Sequence, residues 1–214
     1  MGLKDKTYGI LKDRIINCVY PPGSILKERE IITELGVSRT PFREAANALM
    51  HEDLVALVPY KGVVVAEITL RDIENLYAVR ERLEVYALEL SMGKIPESEL
   101  RGAIGGLQAG WQGLEAAIRQ DEEVHTMLLH YAGNKVLERL VDGLYDHVHR
   151  IRVMSAMGEC DGKSTNEEHL RILQPMLEGD LEAAAAAMKA HINGSKQRAV
   201  DTLMRHNDKL YFRP

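Results

Sequence analysis

Gly36-Val37-Ser38-Arg39-Thr40-Pro41-Phe42-Arg43-Glu44-Ala45-Ala46 is the stretch that decides how the first third of this chain folds. Gly36 stands where a helix ends in a left-handed residue. Ser38 is of the type that caps the next helix. Pro41 falls in that helix's first turn, where a missing N–H costs nothing. Ala45, Ala46, Leu49 and Met50 then carry an apolar face to about Asp53. Upstream, Ile31, Ile32 and Leu35 mark a short helix over Glu28–Leu35. Two helices joined by so tight a turn form a helix–turn–helix.

Working outward, Tyr8, Leu11, Ile15 and Cys18 repeat at helical steps, and Pro21-Pro22-Gly23 ends that helix. On the other side, Leu54–Pro59 and Val63–Ile68 are β-branched runs around Tyr60-Lys61-Gly62. They predict a hairpin directly after the second helix, which is a wing. Residues 1–68 are therefore expected to be a winged helix–turn–helix domain. From residue 69 onward the pattern is helical, with helices expected at Thr69–Met92, Glu97–Ile118, Asp121–Ala132, Lys135–Met157, Thr165–Glu178 and Leu181–Met204. In the first of these, Ile73, Leu76, Val79, Leu83, Tyr86 and Leu90 are expected inside. The polar tail Arg205–Pro214 is expected to fray. The fold class expected is mainly α, with an antiparallel six-helix bundle over residues 69–214.

Composition sets limits on function. The net charge is −5, which argues against a nucleic-acid partner when taken whole. Its distribution reverses that: residues 1–66 total +1 and the rest carry −6. Cations clustered on one face of a near-neutral domain still bind DNA. No run of apolar residues is long enough for a membrane span, and Met1 to Lys6 lacks a secretory signal's apolar core. Two distant cysteines, Cys18 and Cys160, argue against a disulfide framework, so a cytoplasmic location is expected.

A recognition helix presents cations and hydroxyls at its N-terminal end to the major groove. Ser38, Arg39, Thr40 and Arg43 fit that role, because Arg pairs bidentately with guanine and Thr meets a base edge or phosphate. Arg29 stands near the start of the preceding helix, within reach of the backbone or an adjacent base. Lys61 and Gly62 at the wing tip suit the minor groove. The plainer reading, a capped surface helix with solvated charges, explains any one of these residues but not their joint order.

These residues, with Pro22-Gly23 and Glu28-Arg29-Glu30, resemble the GntR family of bacterial transcription regulators over about residues 5–67. The resemblance implies that Arg29, Ser38, Arg39, Thr40, Arg43 and Gly62 occupy operator-contacting positions. Two departures stand out: Cys18 and Asp53 replace glycines common in the family. Asp tolerates the left-handed geometry.

Seven of the eight histidines lie in the second part. His130, His147, His149 and His206 read as solvated or core histidines. Asp121 and His125, four apart, share a helical face. His169 and His191 stand at similar distances on either side of the Gly179-Asp180 reversal, so antiparallel helices would bring them level. Three imidazoles and a carboxylate suit a divalent transition metal, but the residues alone favour ordinary polar helix positions. Asp121-x-x-x-His125, Gly133-Asn134, Ser164-x-x-x-Glu168-His169 and Met188-x-x-His191-Ile192 resemble the all-helical FCD effector domain of the FadR subfamily, over about residues 69–205. That resemblance implies a metal held by Asp121, His125, His169 and His191, with zinc favoured over nickel or manganese. Val124 departs from the usual Phe, which affects packing. It also implies a small carboxylate effector, with Arg80 placed to pair with it. The simpler role for Arg80 is an i,i+4 ion pair with Glu84.

The expected protein is thus a homodimeric, ligand-responsive repressor of operator DNA. The alternative is a metal-free FadR-like regulator that senses a fatty-acyl or other organic ligand. A metal-dependent hydrolase is a third reading, but no His-Glu-x-x-His signature supports catalysis.

Overall fold

The computed structural model describes residues 2–110, 113–156 and 162–211. Cys160 and residues 158–161 of an expected helix break lie outside them. The described elements are α1 (Leu3–Ile16), α2 (Glu28–Leu35), α3 (Arg39–His51), β1 (Val55–Val58), β2 (Gly62–Val65), α4 (Leu70–Ser91), α5 (Glu97–Ala109), α6 (Leu114–Ala132), α7 (Lys135–Ala156), α8 (Gly162–Glu178) and α9 (Leu181–Tyr211). They fall into two units. One holds the residues up to Thr69 together with Asp146–Met154, and the other holds Leu70–Tyr145 and the residues from Ser155 on.

In the first unit, Leu11 and Ile15 of α1 meet Ile31 of α2 and Phe42, Ala45 and Leu49 of α3 in one buried cluster, closed by Leu54, Val55 and Val65. Gly36 takes the left-handed conformation. The Val37 amide then returns to the Ile32 carbonyl at 3.1 Å, a Schellman-type stop that aims α3. β1 and β2 pair antiparallel, with Val55 opposite Val65 and Val58 opposite Gly62. The stretch before α2 adds to this hairpin. Gly23 and Leu26 donate to Val65 and Val63, and Ile25 bridges Val64, an edge pairing that the sequence pattern does not announce.

Both departures from family glycine keep the glycine backbone. Cys18 has φ 54° and Asp53 has φ 55°. The geometry is therefore imposed by the turn, and the side chains bear its modest cost.

Asp146–Met154 extends this unit in a way that the sequence pattern misses. Lys12 bridges Glu52 at 2.8 Å and Asp146 at 2.7 Å. His149 Nε2 lies 2.9 Å from Asn17 Oδ1, and the buried Arg150 guanidinium donates to the Ala66 carbonyl.

The second unit is all helical in its described residues, six helices as expected, but three boundaries and one helix face differ, α8 starting at Gly162 and not at Thr165. The expected helix Glu97–Ile118 divides at Gly110 and Gly113, whose φ values are 74° and 89°. α6 consequently starts at Leu114 and carries Asp121 in its interior. Residues 205–211 of the expected fraying tail are instead the end of α9, which runs on to Tyr211, and the rest of that tail lies outside the described residues. On α4 the buried face is Ile73, Tyr77, Arg80, Glu84, Ala87, Leu88 and Ser91. Val79 and Tyr86, expected inside, are exposed. A charged pair has taken the interior, and α4 is apolar on more than one side.

Candidate nucleic-acid interface and candidate metal centre

The first site lies wholly in the first unit. Arg29, Ser38, Arg39, Thr40, Arg43, Lys61 and Gly62 are all exposed, as a reading surface requires. Pro41 and Phe42 are buried, so the helix turns its apolar side inward and leaves the flanking cations outward. A groove of about 850 Å³ runs between α2, α3 and the wing, lined by Arg29, Arg39, Arg43, Lys61 and Gly62. Ser38 occupies the cap position of α3 but makes no side-chain capping bond, which leaves its hydroxyl facing outward.

Sequence reasoning missed two residues here. Glu28 Oε1 lies 3.8 Å from both Arg39 Nε and Arg43 Nε, so one carboxylate organises the two guanidiniums. Asn47, one turn beyond Arg43, lines the same groove. Its i+4 spacing from Arg43 was the available signal.

The second site lies wholly in the second unit. α4, α6, α8 and α9 each supply part of it. Asp121 and His125 come from α6, His169 from α8 and His191 from α9. The ligand atoms of these four residues all lie within 4.8 Å of one another. His125 Nε2 stands 3.2 Å from His191 Nε2 and 3.4 Å from His169 Nε2, and His169 Nε2 stands 3.3 Å from Asp121 Oδ1. Ligand bonds of about 2.0–2.1 Å in a tetrahedron give edges of roughly 3.3 Å. The donor set therefore fits a small transition-metal ion. The levelling of His169 with His191 about Gly179 also holds, with ring centroids 4.5 Å apart.

Two carboxylates orient these imidazoles. Glu84 Oε2 is 2.5 Å from His125 Nδ1, and Glu168 Oε2 is 2.9 Å from His191 Nδ1. A carboxylate only accepts, so the proton sits on Nδ1 and the Nε2 lone pair faces the centre. Burial alone would raise the Glu168 carboxyl, but bonds from His191 and Arg198 outweigh it and hold it at about 2. Burial likewise lowers His191 to about 4, which keeps its imidazole neutral and able to ligate at neutral pH. Gly194 leaves room for this arrangement, since a Cβ there would stand 3.2 Å from Glu168 Oε1. Sequence reasoning missed the orienting role of both glutamates. Glu168 borders His169, and Glu84 lies four after Arg80; no periodicity rule marks Glu84 as buried or Glu168 as a partner of His191.

Arg80 is fully buried. Its Nε lies 2.5 Å from Glu84 Oε1, and its Nη2 lies 3.2 Å from His125 Nε2. The i,i+4 ion pair is present, and the guanidinium also faces the histidine cluster. Burial alone would raise the Glu84 carboxyl, but the Arg80 charge beside it holds it well below the ordinary range.

The fold defines a class: a winged helix–turn–helix DNA-binding protein with an appended all-helical domain. The chain belongs to the GntR family, "Bacterial regulatory proteins, gntR family" matching residues 3–65 and "FCD domain" matching residues 75–194. It is 28% identical over 193 residues to the HTH-type transcriptional regulator YdhC of Bacillus subtilis (strain 168), covering 87% of this chain and 86% of that one. Among solved structures, E. coli McbR/YncC aligns with a TM-score of 0.77 at 18% identity, over 96% of this chain and 99% of the other. The Zn2+-bound FCD domain of TM0439 aligns with a TM-score of 0.52 at 22% identity, over 64% of this chain and 98% of that domain. The protein is thus a DNA-binding transcription regulator and not an enzyme. No described helix is long and apolar enough to cross a membrane.

Proposed function

We propose that this regulator is a cytoplasmic homodimer that represses from an operator and responds to a small carboxylate bound at a metal centre. Asp121, His125, His169 and His191 hold the divalent ion, zinc by preference, with nickel or manganese as alternatives. Arg80 pairs with the effector's carboxylate. The observation that carries this reading is the convergence of three Nε2 atoms and one carboxylate oxygen beside a fully buried guanidinium. Its Nη1 is buried with no hydrogen-bond partner among the described residues, a spare donor for an anion. The zinc in the TM0439 domain, a structural neighbour, agrees with it. When bound, the ion supplies a Lewis-acid position for a carboxylate oxygen.

On the operator, Arg29, Ser38, Arg39, Thr40 and Arg43 contact bases and phosphates in the major groove, and Lys61 and Gly62 reach the minor groove. A second copy supplies the other half-site. The surface proposed to join the copies carries Val79 and Tyr86 of α4 and Val136 and Leu140 of α7, all exposed. These flank the buried cluster in which both helices take part. Tyr86→Glu with Leu140→Glu should halve the mass measured by light scattering; a dimer that survives the pair would place the seam elsewhere.

The functional test is a mobility-shift titration against the cognate operator. Carboxylates should release the wild-type protein when metal is present and should fail to release His169→Ala. Release by a long-chain acyl ligand in chelator-treated protein would favour the metal-free reading instead.

A further inference from the structure

His125 Nε2 is contacted by two kinds of partner at once. His191 Nε2 and His169 Nε2 approach it from one side at 3.2 and 3.4 Å, and Arg80 Nη2 approaches at 3.2 Å. A guanidinium only donates, and an imidazole whose Nδ1 proton faces a carboxylate has a single acceptor site, at Nε2. Arg80 is therefore aimed at the same lone pair that a metal ion would take. Both are cations, and all the groups involved are buried, where like charges repel more strongly than in water. Glu84 ties the contestants together: one oxygen sits on Arg80 Nε and the other on His125 Nδ1. Neither can withdraw without disturbing the other.

From this we infer that Arg80 opposes metal binding at His125, and that an anionic ligand reaching both cations converts the opposition into cooperation. The inference rests on the metal-site reading above and adds the sign of the coupling. Arg80 makes the metal bind more weakly when no carboxylate is present. A carboxylate placed between guanidinium and metal offsets the repulsion and occupies the spare Nη1 donor. By linkage, metal strengthens carboxylate binding by the same factor that carboxylate strengthens metal binding. Glu84 is the positioning residue that keeps both partners in register. An Arg that served only as a packing or ion-pair residue would have no such effect on metal affinity.

The test measures zinc affinity of full-length, chelator-stripped protein by competition with a chromophoric chelator, in sodium acetate or matched sodium chloride. Acetate is the carboxylate probe. Wild-type protein should bind zinc about tenfold more tightly in acetate, within the usual range of coupling between sites. Arg80→Met leaves Glu84 buried without its partner and is at risk of misfolding. The double variant Arg80→Met/Glu84→Gln removes both charges and retains an acceptor for His125. In chloride the double variant should bind zinc more tightly, by up to about tenfold, than Glu84→Gln alone, which equally lacks the carboxylate that orients His125, and its acetate effect should vanish. Weaker zinc binding in the double variant than in Glu84→Gln, or an undiminished acetate effect, would overturn the inference while leaving the metal site standing. A wild-type protein that takes up no zinc would remove the metal reading itself, and this inference with it.

Discussion

The two units use arginine in opposite ways. In the first, Arg39 and Arg43 are exposed by 69% and 66% and stand 3.8 Å from a shared Glu28 oxygen. In the second, Arg80 is fully buried and stands 2.5 Å from Glu84. An exposed pair at that distance contributes about 0–1 kcal/mol and is readily exchanged for a phosphate. A buried pair is different in kind, because removing one partner leaves an uncompensated charge at a cost of about 3–5 kcal/mol. The first unit keeps its cations available for a large anion. The second fixes its cation in the interior against Glu84 and His125.

Arg80→Ala is the strongest challenge to this contrast. It should lower stability by about 3–5 kcal/mol, seen as a large drop in urea midpoint. A loss below about 1 kcal/mol would mean that the buried pair is not structural. Arg39→Ala and Arg43→Ala should leave the melting temperature nearly unchanged, within about 0.5 kcal/mol. Each should weaken operator binding by about 1–3 kcal/mol in a mobility-shift assay. Equal stability losses in both units would erase the distinction.

Burial opposes ionisation of Glu52, but bonds from Lys12 and Tyr8 outweigh it and hold its carboxyl below the ordinary 4.5. A depressed folded pKa means that the unfolded chain takes the proton first as pH falls. The stability contributed by Glu52 is therefore complete above pH 4.5 and is lost as pH falls through the folded value. Glu52→Gln should flatten the acid limb of urea midpoint against pH; an unchanged slope would count against the Lys12 bridge. The smallest effect is at Asp53, whose left-handed backbone favours glycine. Asp53→Gly should be neutral to slightly stabilising, by up to about 0.5 kcal/mol. A loss of 1 kcal/mol or more would assign the Asp side chain a role that its exposure does not suggest.

Legibility in the sequence followed the range of the interactions involved. The helix–turn–helix was readable because Gly36, Ser38 and Pro41 act within a few residues of themselves. The common faces of the four proposed ligands were readable because i,i+4 spacing on α6 and symmetry about Gly179 are local geometry, whereas their role as ligands came from the resemblance to the FCD domain. The start of α6 was not readable, since Gly102, Gly105 and Gly106 lie inside α5 while Gly110 and Gly113 break the chain, and the residue type alone does not separate them. The buried face of α4 was misjudged for a physical reason. Periodicity assumes that charges face water, and here Arg80 and Glu84 compensate one another inside while Val79 and Tyr86 stand exposed. Glu168 and its bond to His191 join residues 23 apart in sequence, and the pairing of α8 with α9 was needed to see it.

Asp121, His125, His169 and His191 are proposed to form a metal centre, and elemental analysis of protein purified without chelator decides the question. One equivalent of a divalent transition metal per chain is expected in the wild type, falling to background in a folded His169→Ala variant. A folded wild-type protein that carries no such metal and takes none up, or a variant that retains a full equivalent, would contradict it.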